Sequence, residues 1–249
     1  ASRVGEGPAG RNSGFMVDLP HDLDSDTYAG AAEADLRQIR LNRSAIEFAQ
    51  DAAREYGLED AAFQLRGKHN VAATATGSAH LDAYAQHLEG LGERFERLDR
   101  DDMQRLTGLD FYRDGLLTPG TAILQPAAFI RGVAEGLAAR GVHLHEASPV
   151  TRLDIGPDHV AHTPKGRVTA PRIVLGVNGH AESFGFYRRR LMHVFTYASM
   201  TRELTDAEVR RLGGEPEWHF TSAEPMGTSV RRIRENRIVV RNRFTYDPA

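Results

Sequence analysis

The sequence contains no cysteine, which excludes disulfide bonds, thiolate nucleophiles and cysteine-ligated zinc. Lysine is nearly absent as well, because Lys68 and Lys165 stand against 29 arginines. This preference for arginine is typical of a GC-rich bacterial genome and carries no functional information.

An excess of one charge is also missing. The formal net charge is −3 over 249 residues, so no global basic field attracts nucleic acid or anionic lipid. Apolar runs are far shorter than the roughly 18 residues of a membrane span, and the first residues do not resemble a secretory signal. With 41% hydrophobic and 26% charged residues, the composition indicates a globular, cytoplasmic protein without nucleic-acid or membrane partners. The oligomeric state stays open.

Helical periodicity is clearest over residues 27–56, where apolar residues recur at three-, four- and seven-residue steps. Asp24 or Ser25 is expected to cap the start of this helix, and Gly57 is expected to end it. Further helices are predicted over 80–91, 101–106, 127–140 and 206–212. Pro126 and Thr205 mark the starts of the last two, and Gly108 is expected to end the helix over 101–106.

Alternating apolar residues bounded by turn residues predict the strands. The predicted strands are 62–76, 115–117, 142–146, a β-meander over 150–169, the apolar run 172–175, the long strand 190–202, and a hairpin of 229–233 with 237–243. Of these, 172–175 has the composition of a strand buried on both faces. The pattern is α/β in the middle of the chain and richer in antiparallel sheet towards its end.

The N-terminal residues Gly5–Gly10 match the dinucleotide pattern G-x-G-x-x-G letter for letter. That fingerprint needs a strand before it and a helix opening inside it, so that helix amides meet a pyrophosphate. Only four residues precede Gly5, Pro8 removes an amide, and residues 11–14 continue as a loop. The pattern is therefore interpreted as a plain Gly-rich loop.

Four other stretches together resemble the D-amino-acid oxidase superfamily of FAD-dependent oxidoreductases. The resemblance is greatest to its branch of glycine oxidases, sarcosine oxidases and gamma-glutamylputrescine oxidoreductases. It covers nearly the whole chain and rests on Gly10-Arg11-Asn12-Ser13-Gly14-Phe15, on Leu124-Gln125-Pro126 with 141–150 after it, on 163–179, and on 190–195.

The resemblance implies an α/β fold in which part of an FAD-binding, Rossmann-like domain is interleaved with an antiparallel-sheet substrate domain. Residues 1–60 and 121–187 are assigned to the FAD-binding domain, and residues 61–120 and 188–249 to the substrate domain. In this superfamily the pyrophosphate loop and the acidic ribose ligand precede the Gly-Arg-Asn loop. The resemblance thus implies that they precede Ala1 and that a Gly-rich segment follows Ala249, so the chain alone is expected to bind FAD weakly or not at all.

The resemblance further implies oxidation of an amine or amino acid, with FAD as the hydride acceptor. Arg11 and Asn12 would donate hydrogen bonds to flavin or ribityl oxygens, and His193 and Tyr197 would line the substrate pocket. No acid or base is assigned. The residues expected to contact the cofactor are Gly10, Arg11, Asn12, Ser13, Gly14, Phe15, Val150, Gly176, Asn178 and Gly179.

The residue types alone leave simpler interpretations open. Arg11 with Asn12 is also typical of a solvent-exposed turn, Val150 of a strand core, and Gly176 with Gly179 of an ordinary strand-to-loop turn. The histidine pairs His143/His145 and His159/His162 lack a third ligand at metal spacing, so no metal is predicted.

The basic run in the C-terminal hairpin is interpreted as a solvated face, although one of its arginines is a candidate for binding a substrate carboxylate. This run comprises Arg231, Arg232, Arg234, Arg237, Arg241 and Arg243. The alternative function is a non-catalytic module that binds a small molecule or a partner without any cofactor.

Overall fold

A computed structural model describes residues 3–20, 32–60, 62–224 and 227–247. Its mixed α/β architecture confirms the predicted fold class. The helices are α1 Ala32–Glu55, α2 Ala75–Gly90, α3 Arg100–Thr107, α4 Pro126–Ala139 and α5 Asp206–Leu212. The strands are β1 Phe15–Met16, β2 Phe63–Leu65, β3 Lys68–Ala72, β4 Glu96–Leu98, β5 Asp114–Thr118, β6 Ala122–Leu124, β7 Arg152–Asp154, β8 His159–Thr163, β9 Gly166–Ala170, β10 His193–Met200, β11 Trp218–Ser222, β12 Ser229–Ile233 and β13 Arg237–Asp247.

The largest element is a seven-stranded sheet of order β10-β13-β12-β11-β3-β5-β4. Its neighbours are antiparallel except at the centre, where β11 runs parallel to β3. Phe220 of β11 is in register with His69 of β3. The sheet therefore joins three strands from the first half of the chain to four strands from its last quarter.

Two hydrophobic clusters cover opposite faces of this sheet, because the neighbouring residues Val71 and Ala72 point to opposite sides of β3. Ala72 packs with α2 in a cluster of buried residues that includes Tyr84 and Leu88. Val71 belongs to a second cluster with three other buried residues, namely Met103 of α3, Trp218 and Phe220. The centre of the sheet is thus enclosed by α2 on one side and α3 on the other.

Two smaller sheets complete the β-structure. The first has the order β1-β6-β2 and brings Phe15 opposite Ile123. The second is the meander β7-β8-β9, which confirms the hairpin turns predicted there. The first of these sheets holds the residues that follow the N-terminal loop.

The predicted strand 62–76 is broken into two strands and the start of a helix. Gly67 has φ +75°, and a Cβ there would lie 2.6 Å from the carbonyl oxygen of Thr118. At this glycine the chain leaves the small sheet and enters the large one, so β2 and β3 belong to different sheets. Thr74 then caps α2, which begins earlier than the periodicity indicated.

Three predicted helices are confirmed together with their boundary signals. Pro126 is the first residue of α4, and Gln125 accepts a hydrogen bond from the amide of Ala128. Thr205 and Glu208 form a complete capping box at α5, and Gly108 ends α3 in the left-handed conformation. The predicted helix 27–56 is observed as α1, while its first five residues and the caps Asp24 and Ser25 lie outside the described residues.

The strands predicted over 142–146 and 172–175 are wrong. Neither segment pairs with another described strand, and Val142 and Val174 are 45% and 95% exposed. An apolar run becomes a strand only where a second segment supplies hydrogen bonds for its backbone. No described helix has the length and apolar character needed to cross a bilayer.

Candidate functional site

The N-terminal loop that carries the Gly-Arg-Asn sequence is held by its own asparagine. Residues Pro8–Gly10 form a 3-10 turn. The Asn12 amide nitrogen donates to the carbonyl oxygens of Pro8 and Ala9, at 3.1 and 2.9 Å, and its Oδ1 accepts the Gly14 amide at 2.9 Å. The side chain predicted to donate to a flavin therefore spans the loop internally and fixes its shape.

Both glycines of this loop are required by close contacts within the chain. A Cβ on Gly10 would overlap the carbonyl oxygen of Gly5. Gly14 has φ +72°, and a Cβ there would overlap Nη1 of Arg231 and the carbonyl oxygen of Leu124. Gly10 and Gly14 were predicted to contact the cofactor, but the space beside each of them is filled by the protein itself.

Arg11 has a different environment from its neighbours. Its side chain is exposed, and within the described residues no carboxylate or carbonyl accepts a hydrogen bond from its guanidinium. Ser13, by contrast, uses its carbonyl oxygen to accept a hydrogen bond from Arg231, and Phe15 begins β1. The loop thus presents the long cationic side chain of Arg11 to solvent from a backbone that is held by hydrogen bonds.

His219, which is buried, and Arg231, which is half-buried, lie side by side behind this loop. They are in register on β12 and β11, so their side chains share one face of the large sheet. Both contact Phe15: the Arg231 guanidinium lies 5.7 Å from the ring centroid, and the His219 ring packs edge-on at 6.5 Å. Burial lowers the pKa of Arg231 to about 10, and burial together with the Arg231 charge lowers the pKa of His219 to about 3.

The solvated face predicted for the basic hairpin is wrong for two of its arginines. Arg232 is only 2% exposed, and Arg231 is half-buried against the N-terminal loop. Each lies within the sheet and donates to backbone carbonyls of another segment. The two arginines are adjacent on β12 and therefore point to opposite faces of the sheet, so the alternation of the strand does not indicate that both are withdrawn from solvent.

A row of polar side chains crosses the same face of the large sheet. Thr221 donates to Oδ1 of Asn70 at 2.7 Å, and Arg241 donates to Oγ of Ser229 at 2.7 Å. The four residues are in register on β3, β11, β12 and β13. Asn70 is fully buried and its Nδ2 has no described partner. Asn70, Thr221 and Ser229 were not predicted as site residues, since isolated polar residues in strands carry no motif.

A second group of predicted residues gathers after the 172–175 segment. Asn178 accepts the amide of Gly179 through Oδ1 at 3.0 Å, and a Cβ on Gly179 would lie 2.5 Å from Cε1 of His193. His193 Nε2 lies 2.9 Å from a carboxylate oxygen of Glu182. This hydrogen bond is the main cause of the lowered pKa of Glu182. The structure therefore joins Asn178, Gly179 and His193 in one cluster.

The other three predicted residues lie apart from these contacts. Gly176 has open space around its Cα. Val150 is 40% exposed and precedes β7. Tyr197 lies on the edge strand β10, where its hydroxyl is 3.1 Å from Oγ1 of Thr245. All three are accessible to a ligand, although no described contact links them to the N-terminal loop.

Comparison with known proteins identifies the family to which this chain belongs. Residues 1–248 match the family model described as FAD dependent oxidoreductase. A gamma-glutamylputrescine oxidoreductase of Escherichia coli K12 is 26% identical over 183 residues, which cover 72% of this chain and 42% of that protein. The chain therefore spans less than half the length of this curated relative.

Solved structures share the fold at lower identity. Glycine oxidase from Geobacillus kaustophilus superimposes with a TM-score of 0.70 at 17% identity, covering 97% of this chain and 62% of that one. L-alpha-glycerophosphate oxidase from Mycoplasma pneumoniae, solved with FAD bound, gives 0.67 at 12% identity over 98% and 63%. At these identities the likeness establishes the fold alone.

Proposed function

Because this chain belongs to the family of FAD-dependent oxidoreductases, we propose that the whole protein oxidises an amine or an amino acid. The names of its relatives support this substrate class, since they include a gamma-glutamylputrescine oxidoreductase and a glycine oxidase. FAD, when bound, supplies the acceptor for the hydride that leaves the carbon next to the amine nitrogen. The family match disfavours the cofactor-free binding module.

The observation that carries the proposal is the geometry of the N-terminal loop. Its backbone is fixed by Asn12 and Arg231, while the guanidinium of Arg11 is exposed and without a described partner. A planar cation with several donors suits the oxygen-rich, partly anionic FAD. The donor set of this loop therefore fits the cofactor, with Arg11 as the residue that contacts it directly.

Each remaining loop residue is proposed to position Arg11. Gly10 allows the loop to pack closely on Gly5, and Gly14 allows it to lie against Leu124 and Pro126 at the end of β6 and the start of α4. Ser13 anchors the loop through its carbonyl, and Phe15 attaches it to the small sheet. This arrangement leaves the exposed guanidinium of Arg11 available to a ligand, because the Asn12 side chain and the Ser13 carbonyl are engaged within the protein.

A second contact region is proposed at Val150, Gly176, Asn178 and Gly179. The open space at Gly176 leaves room for a cofactor group beside the backbone. His193 and Tyr197 are proposed to border the substrate, and Arg241 is a candidate for its carboxylate. Burial lowers the pKa of Arg241, and no described carboxylate pairs with it.

The proposal also covers the partners, the cellular location and the domain division of the protein. The substrate is a small molecule, and neither nucleic acid nor a membrane is proposed as a partner. We place the protein in the bacterial cytoplasm and divide it into an FAD-binding domain, residues 1–60 and 121–187, and a substrate domain, residues 61–120 and 188–249.

The proposal is tested with the whole protein, purified with its own cofactor content. We expect visible flavin absorbance that bleaches when an amine or amino acid is added without oxygen. A panel should compare primary amines, secondary amines and amino acids, with carboxylic acids lacking nitrogen as controls. A protein that binds FAD but is bleached by none of the nitrogen compounds would refute the substrate class, and a colourless protein that takes up no FAD would refute the cofactor.

A further inference from the structure

We propose that Arg231, on β12 of the large sheet, is a positioning residue that fixes the N-terminal loop and thereby orients Arg11. From a single nitrogen, Nη1, it donates to the carbonyl oxygen of Ser13 at 2.7 Å and to that of Leu124 at 3.0 Å. These two acceptors belong to the loop and to β6. The relevance of this contact to FAD rests on the proposed function, whereas the contact itself does not.

The contact joins elements that are distant in the sequence. Ser13 is 218 positions from Arg231, and Leu124 is 107 positions away. Gly14 lies between them: its carbonyl accepts the amide of Leu124 at 2.7 Å, and its missing Cβ leaves the room that Nη1 occupies. One guanidinium thus links the large sheet, the small sheet and the loop.

Because Arg231 is charged and partly desolvated, it requires hydrogen-bond acceptors at this contact. Its nearest acidic residues, Glu217 and Glu235, raise its pKa through space, but neither is within ion-pair distance. A desolvated cation without a counter-ion needs good acceptors, and the Ser13 and Leu124 carbonyls supply them. The guanidinium carbon of Arg231 also lies over the ring of Phe15, 5.7 Å from its centroid, which adds a cation–π contact.

The choice of arginine follows from this geometry. A lysine ammonium is a compact point charge, so it would reach the two carbonyls without the planar contact to Phe15. A methionine has similar length and apolar character but no donor. Removing the donor leaves two inward-facing carbonyls unsatisfied, and the Ser13 peptide is then free to move.

Arg232 offers a matched control on the opposite face of the same strand. Its Nη1 donates to the carbonyl oxygens of Gly213 and Glu215, at 2.6 and 2.9 Å. It too is buried, and the Nε of each arginine lacks a described partner. The two residues therefore have the same chemistry and the same strand, and they differ in the segment they hold.

The experiment compares Arg231→Met, Arg231→Lys and Arg232→Met in the whole protein. Amide hydrogen exchange without FAD reports on residues 10–15 and 213–215, and fluorescence titration gives the FAD dissociation constant. We expect Arg231→Met to speed exchange in 10–15 by about tenfold or more and to weaken FAD binding by about 10–100-fold. Arg231→Lys should recover part of both losses.

Arg232→Met should speed exchange only in 213–215 and leave the FAD dissociation constant within about twofold of the parent. Parent-like exchange of 10–15 in Arg231→Met would overturn the proposal, and so would equal losses of FAD affinity in both methionine variants. If Arg231→Met does not fold, Arg231→Lys carries the same comparison. Unchanged FAD binding alongside faster exchange would show that the loop is held by Arg231 but does not contact FAD, which refutes the assigned site and leaves the substrate chemistry to its own test.

Discussion

The ring of Tyr56 lies directly on Gly136 of α4, so closely that a Cβ on this glycine would overlap the ring carbons. Gly132, one turn earlier, receives the side chain of Leu58 in the same way. Arg140 then covers the outer face of the Tyr56 ring at 5.1 Å. Tyr56 and Leu58, which follow α1, therefore pack on the glycines Gly136 and Gly132 of α4.

Replacing Gly136 by alanine is expected to destabilise the protein, although alanine favours helix by about 1 kcal/mol. The new methyl group displaces the Tyr56 ring, and overpacking of this kind costs about 1–3 kcal/mol. We expect a net loss of up to about 2 kcal/mol in the free energy of unfolding, measured by urea denaturation. Gly90→Ala is the control, because open space surrounds Gly90 in α2. Equal stabilities of the two variants would contradict the packing described.

Gly179→Ala is expected to separate His193 from Glu182. The added Cβ would lie 2.5 Å from the imidazole, so the ring must turn away from the carboxylate. Since the His193 hydrogen bond is the main reason for the lowered pKa of Glu182, that pKa should rise towards its ordinary value. Carboxyl NMR titration measures it. Gly176→Ala, with nothing near its Cα, should leave Glu182 unchanged, and a shift in both variants would count against this explanation.

Arg11→Ala tests the direct cofactor contact in the whole protein. A guanidinium near the flavin would stabilise negative charge that develops in the transition state. Anaerobic stopped-flow reduction should slow by one to three orders of magnitude, about 1.4–4 kcal/mol, with a much smaller loss of FAD. Arg11→Lys should recover part of the rate. A variant that keeps its flavin and reduces at the parent rate would make Arg11 an ordinary loop residue.

Buried neutral histidines should make the fold sensitive to acid. Burial lowers the pKa of His219 to about 3 and that of His69 to about 4, whereas the unfolded chain titrates near 6.5. Below pH 6.5 the unfolded state binds more protons, so stability falls as the pH drops towards the folded pKa values. Between about pH 7 and 5.5 each histidine should cost about 1 kcal/mol.

The measurement is the free energy of unfolding in urea at both pH values. His219→Gln should have a shallower pH dependence than the parent, irrespective of its stability at neutral pH. His145→Asn, at an exposed position, should retain the parent dependence. If His219→Gln loses stability with acid as steeply as the parent, His219 is not the responsible group.

Local signals in the sequence predicted the local structure. The helix starts at Thr205 and Pro126 and the hairpin of 229–233 with 237–243 are each determined by residues close together in the sequence, and all three are observed. The loop at 10–15 was recognised because the family resemblance lies in consecutive residues. Its internal hydrogen bonds through Asn12 agree with the alternative interpretation as a turn, and its contact with FAD stays a prediction.

Features that depend on distant partners were not predicted. Strand β11 was missed because its pairing with β3 joins segments far apart in the sequence. The burial of Arg231 was missed for the same reason, since its acceptors are Ser13 and Leu124. Conversely, 142–146 and 172–175 have strand composition but no described partner. Composition gives a segment a preference for strand, and whether it forms one depends on a neighbouring segment that can pair with it.

The parallel contact between β3 and β11 also determines the order in which the protein can fold. Thr221 and Asn70 hydrogen-bond across it although they are 151 positions apart. On a ribosome, β3 and β5 are synthesised long before residues 218–222, so the β3–β5 pair keeps an open edge until β11 follows. Closing so large a loop is slow, and Val71 of β3 is apolar. The unpaired edge of β3 is therefore a site where the unfinished chain can aggregate.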